Sequence, residues 1–141
     1  ALSSGQVGWD WFSIQLNDGF DLMVFQIRRV DGSIDPYSSG TFVAPDGKTH
    51  HLGENDFEIR VNENWRSPDT GAVYPAEWTI LVPEYELELL VVPLMSDQEM
   101  DVSYIYWEGA VGVQGQREGN PVEGDGYVEL TGYAASMEGE F

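Results

Sequence analysis

Cysteine is absent from the 141 residues, which excludes disulfides, thiol nucleophiles and thiolate metal sites. Positive charge is scarce: six Lys and Arg stand against 25 Asp and Glu, a formal net charge of −19, and Lys48 is the one lysine. Nucleic acid and anionic membrane both need a cationic face, so neither is an expected partner. Self-repulsion costs such a chain stability while it favours solubility. No apolar run approaches the roughly 18 residues of a membrane-crossing helix, and no membrane insertion is expected. Histidine is limited to the adjacent His50 and His51. Neighbours on a strand point to opposite faces, so these two cannot share one ion, and no metal site is expected. A G-x-S-x-G elbow, a glycine loop opening a helix and the alternating oxygen ligands of a calcium loop are all missing. The chain opens on ALSSGQ without an initiator Met or a leader, as a processed or excised piece would.

Sixteen glycines and seven prolines are present, and they punctuate the chain at short intervals. No segment holds a helical period for three turns, whereas period-two alternation recurs. Residues 8–16 (GWDWFSIQL) put Trp9, Trp11, Ser13 and Gln15 on one face and Asp10, Phe12, Ile14 and Leu16 on the other. Asn17-Asp18-Gly19 reads as a hairpin turn into residues 20–29. Further strands are expected near 41–44, 48–52, 57–62, 77–82, 85–92, 100–116 and 126–133, with 63–75 a loop. Eight or nine antiparallel strands in one domain over residues 1–141 follow, either an up-and-down barrel or a sandwich.

Aromatic residues make up 13% of the chain and are interleaved with acids. An aromatic wall with a few convergent polar groups is what a site for a large apolar ligand looks like. A carboxyl desolvated by such rings has a raised pKa and can act as a general acid. In YIYWEGAVGV, residues 104–113, Tyr104, Tyr106 and Glu108 share one face of a strand, with Ile105, Trp107 and Gly109 on the other. Glu108 is the first acid candidate, with Glu99 and Asp10 behind it. Trp9, Trp11, Tyr74, Trp78, Tyr104, Tyr106, Trp107 and Arg28 are the candidate ligand wall. A structural role for Glu108, paired with Arg28 or Arg29, competes with the catalytic one.

The motifs GWDWFSIQLNDGFDLMVFQIRRVDGS, SPDTGAVYPAEWTI, DQE, YWEGAV and GYVELTGY occur in that order. In them the chain resembles, over roughly residues 8–134, the second domain of lipocalin-like proteins related to hydroxyneurosporene synthase (carotenoid 1,2-hydratase). Many of those are known as predicted secreted hydrolases. The resemblance implies an all-β, calycin-type antiparallel barrel, one of two in tandem in full-length relatives, with no cofactor and a secreted or periplasmic location. It implies an extended polyene, isoprenoid or polyketide as ligand. One departure stands out: the Trp/Asp-His-Glu-Trp type segment that precedes this domain in two-barrel relatives is missing. Three readings follow. The barrel binds a hydrophobic small molecule; or it is a hydratase-like lyase or hydrolase using a buried carboxyl; or it is a structural barrel that packs against a catalytic partner barrel or a second copy.

Overall fold

The computed structural model describes residue 2 and residues 4–136. Ten antiparallel strands form one sheet: β1 (Gln6–Leu16), β2 (Asp21–Arg29), β3 (Ser39–Val43), β4 (Thr49–Leu52), β5 (Glu58–Arg66), β6 (Val73–Val82), β7 (Leu87–Pro93), β8 (Glu99–Asp101), β9 (Ile105–Arg117) and β10 (Asn120–Leu130). The order is β4-β3-β2-β1-β10-β9-β7-β6-β5, with β8 hydrogen-bonded to β9 off this path. Consecutive hairpins therefore run round the sheet in both directions from the β1–β10 pair, which joins the two ends of the chain. The sheet curls into a half-barrel of the lipocalin-like, calycin type, open between its edge strands β4 and β5.

The strand count exceeds the eight or nine expected because β8 is only three residues long and carries no periodic signal of its own. The expected loop at 63–75 is also shorter. β5 runs on to Arg66 and β6 starts at Val73, so the connection is residues 67–72.

Alternation sorts side chains as the period of two requires. Phe12, Ile14 and Leu16 of β1, Trp78 and Ile80 of β6, and Trp107 and Val111 of β9 all face the interior and are buried. The interior is filled rather than hollow: Phe12 meets Trp78 edge-on at 5.2 Å, and Trp78 meets Trp107 at 6.4 Å. One end of the half-barrel is sealed by rings. Phe20 stacks on Phe42 at 4.9 Å, Tyr85 leans on Phe42 at 4.9 Å, and His50 lies 5.3 Å from Tyr85. Arg117 caps that end, its guanidinium 4.0 Å above Phe20 and its Nε donating to Asp18 at 2.7 Å. The opposite end is polar inside. Among the described residues no helix is long and apolar enough to cross a membrane.

Candidate functional site

The polar end begins with three inward positions that break the apolar pattern. Asp10 follows Gly8 and precedes Phe12 on β1; Gln26 and Arg28 follow Val24 on β2. The register places Asp10 directly opposite Gln26 and Gly8 opposite Arg28. Asp10 is 2% exposed. Gln26 Nε2 donates to its Oδ2 at 2.9 Å, and Arg28 Nε stands 3.3 Å from the same oxygen. That Nε makes no hydrogen bond among the described residues, so it acts on Asp10 through the guanidinium charge.

The third partner comes from beyond β10. The chain leaves the sheet at Thr131, turns at Gly132 with φ +81, and carries Tyr133 back across the end. A side chain at 132 would be strained in that left-handed conformation. Tyr133 Oη donates to Asp10 Oδ1 at 2.8 Å. The Arg28 guanidinium lies 3.9 Å over the Tyr133 ring and donates through Nη2 to the Thr131 carbonyl. Thr131 Oγ1 accepts from the Trp9 amide at 3.0 Å. One aspartate, one arginine and one strap of chain are thus tied together.

A second carboxylate stands nearby through the rings. Tyr74 lies 5.7 Å from Tyr133, centroid to centroid, and donates to Glu99 Oε2 at 2.7 Å. Ser67 and Thr70 donate to the same carboxylate at 2.6 and 2.8 Å. Trp65 stacks behind Tyr74 at 6.2 Å.

The two carboxyls are pushed apart in acidity. Burial drives Asp10 above the ordinary aspartate value, against the opposing pulls of Arg28, Gln26 and Tyr133. Burial also pushes Glu99 up, but the hydroxyls of Ser67, Tyr74 and Thr70 outweigh it and hold Glu99 below the ordinary glutamate value. Both phenols are raised, Tyr133 by burial and Asp10, Tyr74 by burial and Glu99, so they remain donors at neutral pH. Two carboxyls held in opposite directions are the usual arrangement for a proton donor beside a fixed anion.

The motifs DQE and YWEG prove to be one device. The Gln98 carboxamide accepts from the Ala110 amide at 2.9 Å and donates to the Ala110 carbonyl at 3.1 Å, like an extra strand residue. It lies so close over Gly109 that a Cβ there would sit 2.2 Å from Gln98 Cδ. This clamp pairs β8 with β9 and puts Glu99 opposite Trp107 on the inner face.

Asp10, Glu99, Tyr74 and Arg28 are therefore brought to one end. Trp78 and Trp107 are 1% exposed in the core, with Trp107 Nε1 donating to the Ser96 carbonyl at 2.9 Å. Trp9, Trp11, Tyr104, Tyr106 and Glu108 lie on the outer face. There Glu108 accepts from Tyr106 Oη at 2.9 Å and stands opposite Glu129 in register, while Arg28 is engaged with Asp10. Gln26, Ser67, Thr70 and Tyr133 were not singled out from sequence. For Gln26 a signal existed, a polar side chain in phase with Leu22 and Val24. For Tyr133 the signal was its place at the end of the GYVELTGY motif, whereas by alternation its stretch reads as a continuing strand.

The polar end opens to solvent between loops that carry Val30, Ile34, Tyr37, Leu94, Met95 and Val102, all exposed. A cleft of about 370 Å³ lies there between residues 101–105 and 134–136. Among the described residues no three His, Asp or Glu side chains converge as a metal site would require.

The AttH-like family profile matches residues 1–133. A crystal structure of an AttH protein from Nitrosomonas europaea is similar, at 39% identity and a TM-score of 0.83, over 94% of this chain and 41% of that one. Kievitone hydratase from Nectria haematococca has the same fold, with 18% identity and a TM-score of 0.75, over 92% of this chain and 40% of that one. The chain thus spans about two-fifths of each of these structures. No curated protein sequence matches it. Family profile and superposition agree: the chain belongs to the AttH-like family.

Proposed function

We propose that the chain is a hydratase-like barrel that adds water to a carbon–carbon double bond of a hydrophobic small molecule, with Asp10 as the acid. The observation that carries this reading is Asp10 itself, a carboxyl buried on the inner face, raised in pKa and held by Tyr133. A protonated carboxyl beside aromatic rings can protonate an alkene; the same group in water would be ionised. Asp10 gives its proton to one alkene carbon, the π pair forming the new C–H bond and leaving a cation on the adjacent carbon. Water then forms the C–O bond and returns a proton to the Asp10 carboxylate, which regenerates the acid. Glu99, ionised throughout, orients Tyr74. The exposed apolar loops at this end support approach of an apolar ligand from there.

A relation to the hydroxyneurosporene synthase type of hydratase, with this chain as the second barrel, is the finer form of the proposal. The ordered motifs and the shared fold with kievitone hydratase support it. Simple binding of a polyene, isoprenoid or polyketide at the same loops is the second reading, favoured by the exposed Val30, Ile34, Tyr37, Leu94, Met95 and Val102. Incubation with an acyclic polyene or a prenylated phenol in isotopically labelled water separates them. Under the proposal label appears in a hydrated product, Asp10→Asn lowers turnover at least about 100-fold, and Glu108→Gln leaves it unchanged. Saturable quenching of tryptophan fluorescence without any labelled product would establish binding alone. Full activity of Asp10→Asn would remove Asp10 from the mechanism.

A further inference from the structure

The outer face of the strands that carry the site has an unusual make-up. Met23, Phe25 and Ile27 of β2, Trp9 and Trp11 of β1 and Tyr127 of β10 all point outward. The register sets Trp9 beside Ile27, Trp11 beside Phe25, and Ser13 between Met23 and Tyr127. All six are only partly covered, and Tyr127 is 44% exposed. On the β5–β6–β7 side of the half-barrel the outward positions mix Glu58, Arg60, Glu77, Thr79 and Glu88 with Leu81, Leu90 and Val92, apolar side chains but no aromatic ones. A contiguous aromatic stretch on a sheet's outer side marks an interaction surface.

Its charge says what kind of partner fits. Glu129 stands directly opposite Trp11 on one side and Glu108 on the other, so two carboxylates face each other across β10 and β9. Like charges in register are unfavourable. Each is fixed by an aromatic donor, Trp9 Nε1 to Glu129 Oε1 at 2.7 Å and Tyr106 Oη to Glu108 Oε1 at 2.9 Å. Among the described residues neither has an ion-pair partner. We propose that this face docks a protein surface of complementary chemistry, apolar side chains over Trp9, Trp11 and Phe25 with an arginine or lysine seated between Glu108 and Glu129. Aromatic rings backed by carboxylates suit such a cation doubly. A second copy would bring the same two carboxylates and another net charge of −19 against them.

The test titrates the chain with a synthetic peptide of alternating leucine and arginine, and with its leucine–glutamate counterpart, by calorimetry at physiological salt. The arginine peptide binds wild type and the glutamate peptide does not. E108Q/E129Q and W11S/F25S each weaken binding about tenfold or more, while E63Q/E84Q, on other faces, stays within about twofold. E108Q/E129Q also raises the thermal midpoint, because the repulsion is relieved, which shows that the weakened variant is folded. Equal weakening by E63Q/E84Q would reduce the effect to diffuse attraction and overturn the proposal. So would binding of the glutamate peptide, a midpoint that E108Q/E129Q does not raise, or a wild-type dimer that W11S/F25S dissociates. Adsorption to zwitterionic vesicles that W11S/F25S abolishes would assign the face to lipid instead.

Discussion

Asp10 and Glu99 contribute to stability in opposite pH directions. Asp10 has a raised folded pKa, so its contribution is fully present below the ordinary aspartate value and is lost as pH rises through the raised one. Glu99 has a lowered folded pKa, so its contribution is present above the ordinary glutamate value and is lost as pH falls through the lowered one. Thermal melts against pH should therefore lose the decline on the less acidic side in Asp10→Asn, and lose part of the acid-side decline in Glu99→Gln. Identical profiles for wild type and Asp10→Asn would contradict the assignment. Tyrosine absorbance gives a second check. Tyr106, bonded to Glu108, is pushed up to about 12, and Tyr133 and Tyr74 are held higher still. Tyr133→Phe should cost about 1–3 kcal/mol, since it leaves the buried Asp10 carboxyl short of a hydrogen-bond partner. At this scale the sequence offered Asp10, Glu99, Tyr74 and Arg28 as members of a mixed aromatic and acidic set, and the structure brings these four to one end. Which face of YIYWEGAVGV turns inward was not, because alternation separates two faces without naming the buried one. Packing decides it: Trp107, Val111 and Val113 fill the interior, and Glu108 is left outside.

Strand positions were readable from alternation and turn residues; the clamp between β8 and β9 was not. It depends on a side chain acting as backbone, and no periodicity reports that. Gln98 and Gly109 should consequently behave as one unit. Gly109→Ala places a methyl group against the Gln98 carboxamide and is expected to cost about 1–3 kcal/mol. Gln98→Ala leaves the Ala110 amide and carbonyl short of partners at a similar cost. The double variant should lose less than the sum, measured by denaturant unfolding, because removing Gln98 makes room for the methyl. Strict additivity would show that the close approach carries no strain. The core strands set the contrast: Trp78→Ala, at a position 1% exposed, should cost about 3–5 kcal/mol.

For the whole molecule, the all-β class and the antiparallel meander followed from turn spacing, which left barrel and sandwich open; the lipocalin-like curl followed from the family resemblance carried by the ordered motifs. The opening between β4 and β5 did not, because edge strands are set by which partners are missing. The net charge of −19 acts on the fold as a whole. Salt added from about 10 to about 150 mM shortens the screening length from about 30 to about 8 Å and should raise the thermal midpoint. An unchanged midpoint would mean that favourable surface pairs already offset the repulsion. The account of function rests on a proton held by one buried carboxyl at one end of this half-barrel. The most direct test is a ¹³C NMR titration of the side-chain carboxyls, assigned with Asp10→Asn and Glu99→Gln. The account predicts that Asp10 titrates above the ordinary aspartate value and Glu99 below the ordinary glutamate value. An Asp10 that titrates at or below the ordinary value would make it the anionic half of a structural pair with Arg28, and no acid for an alkene.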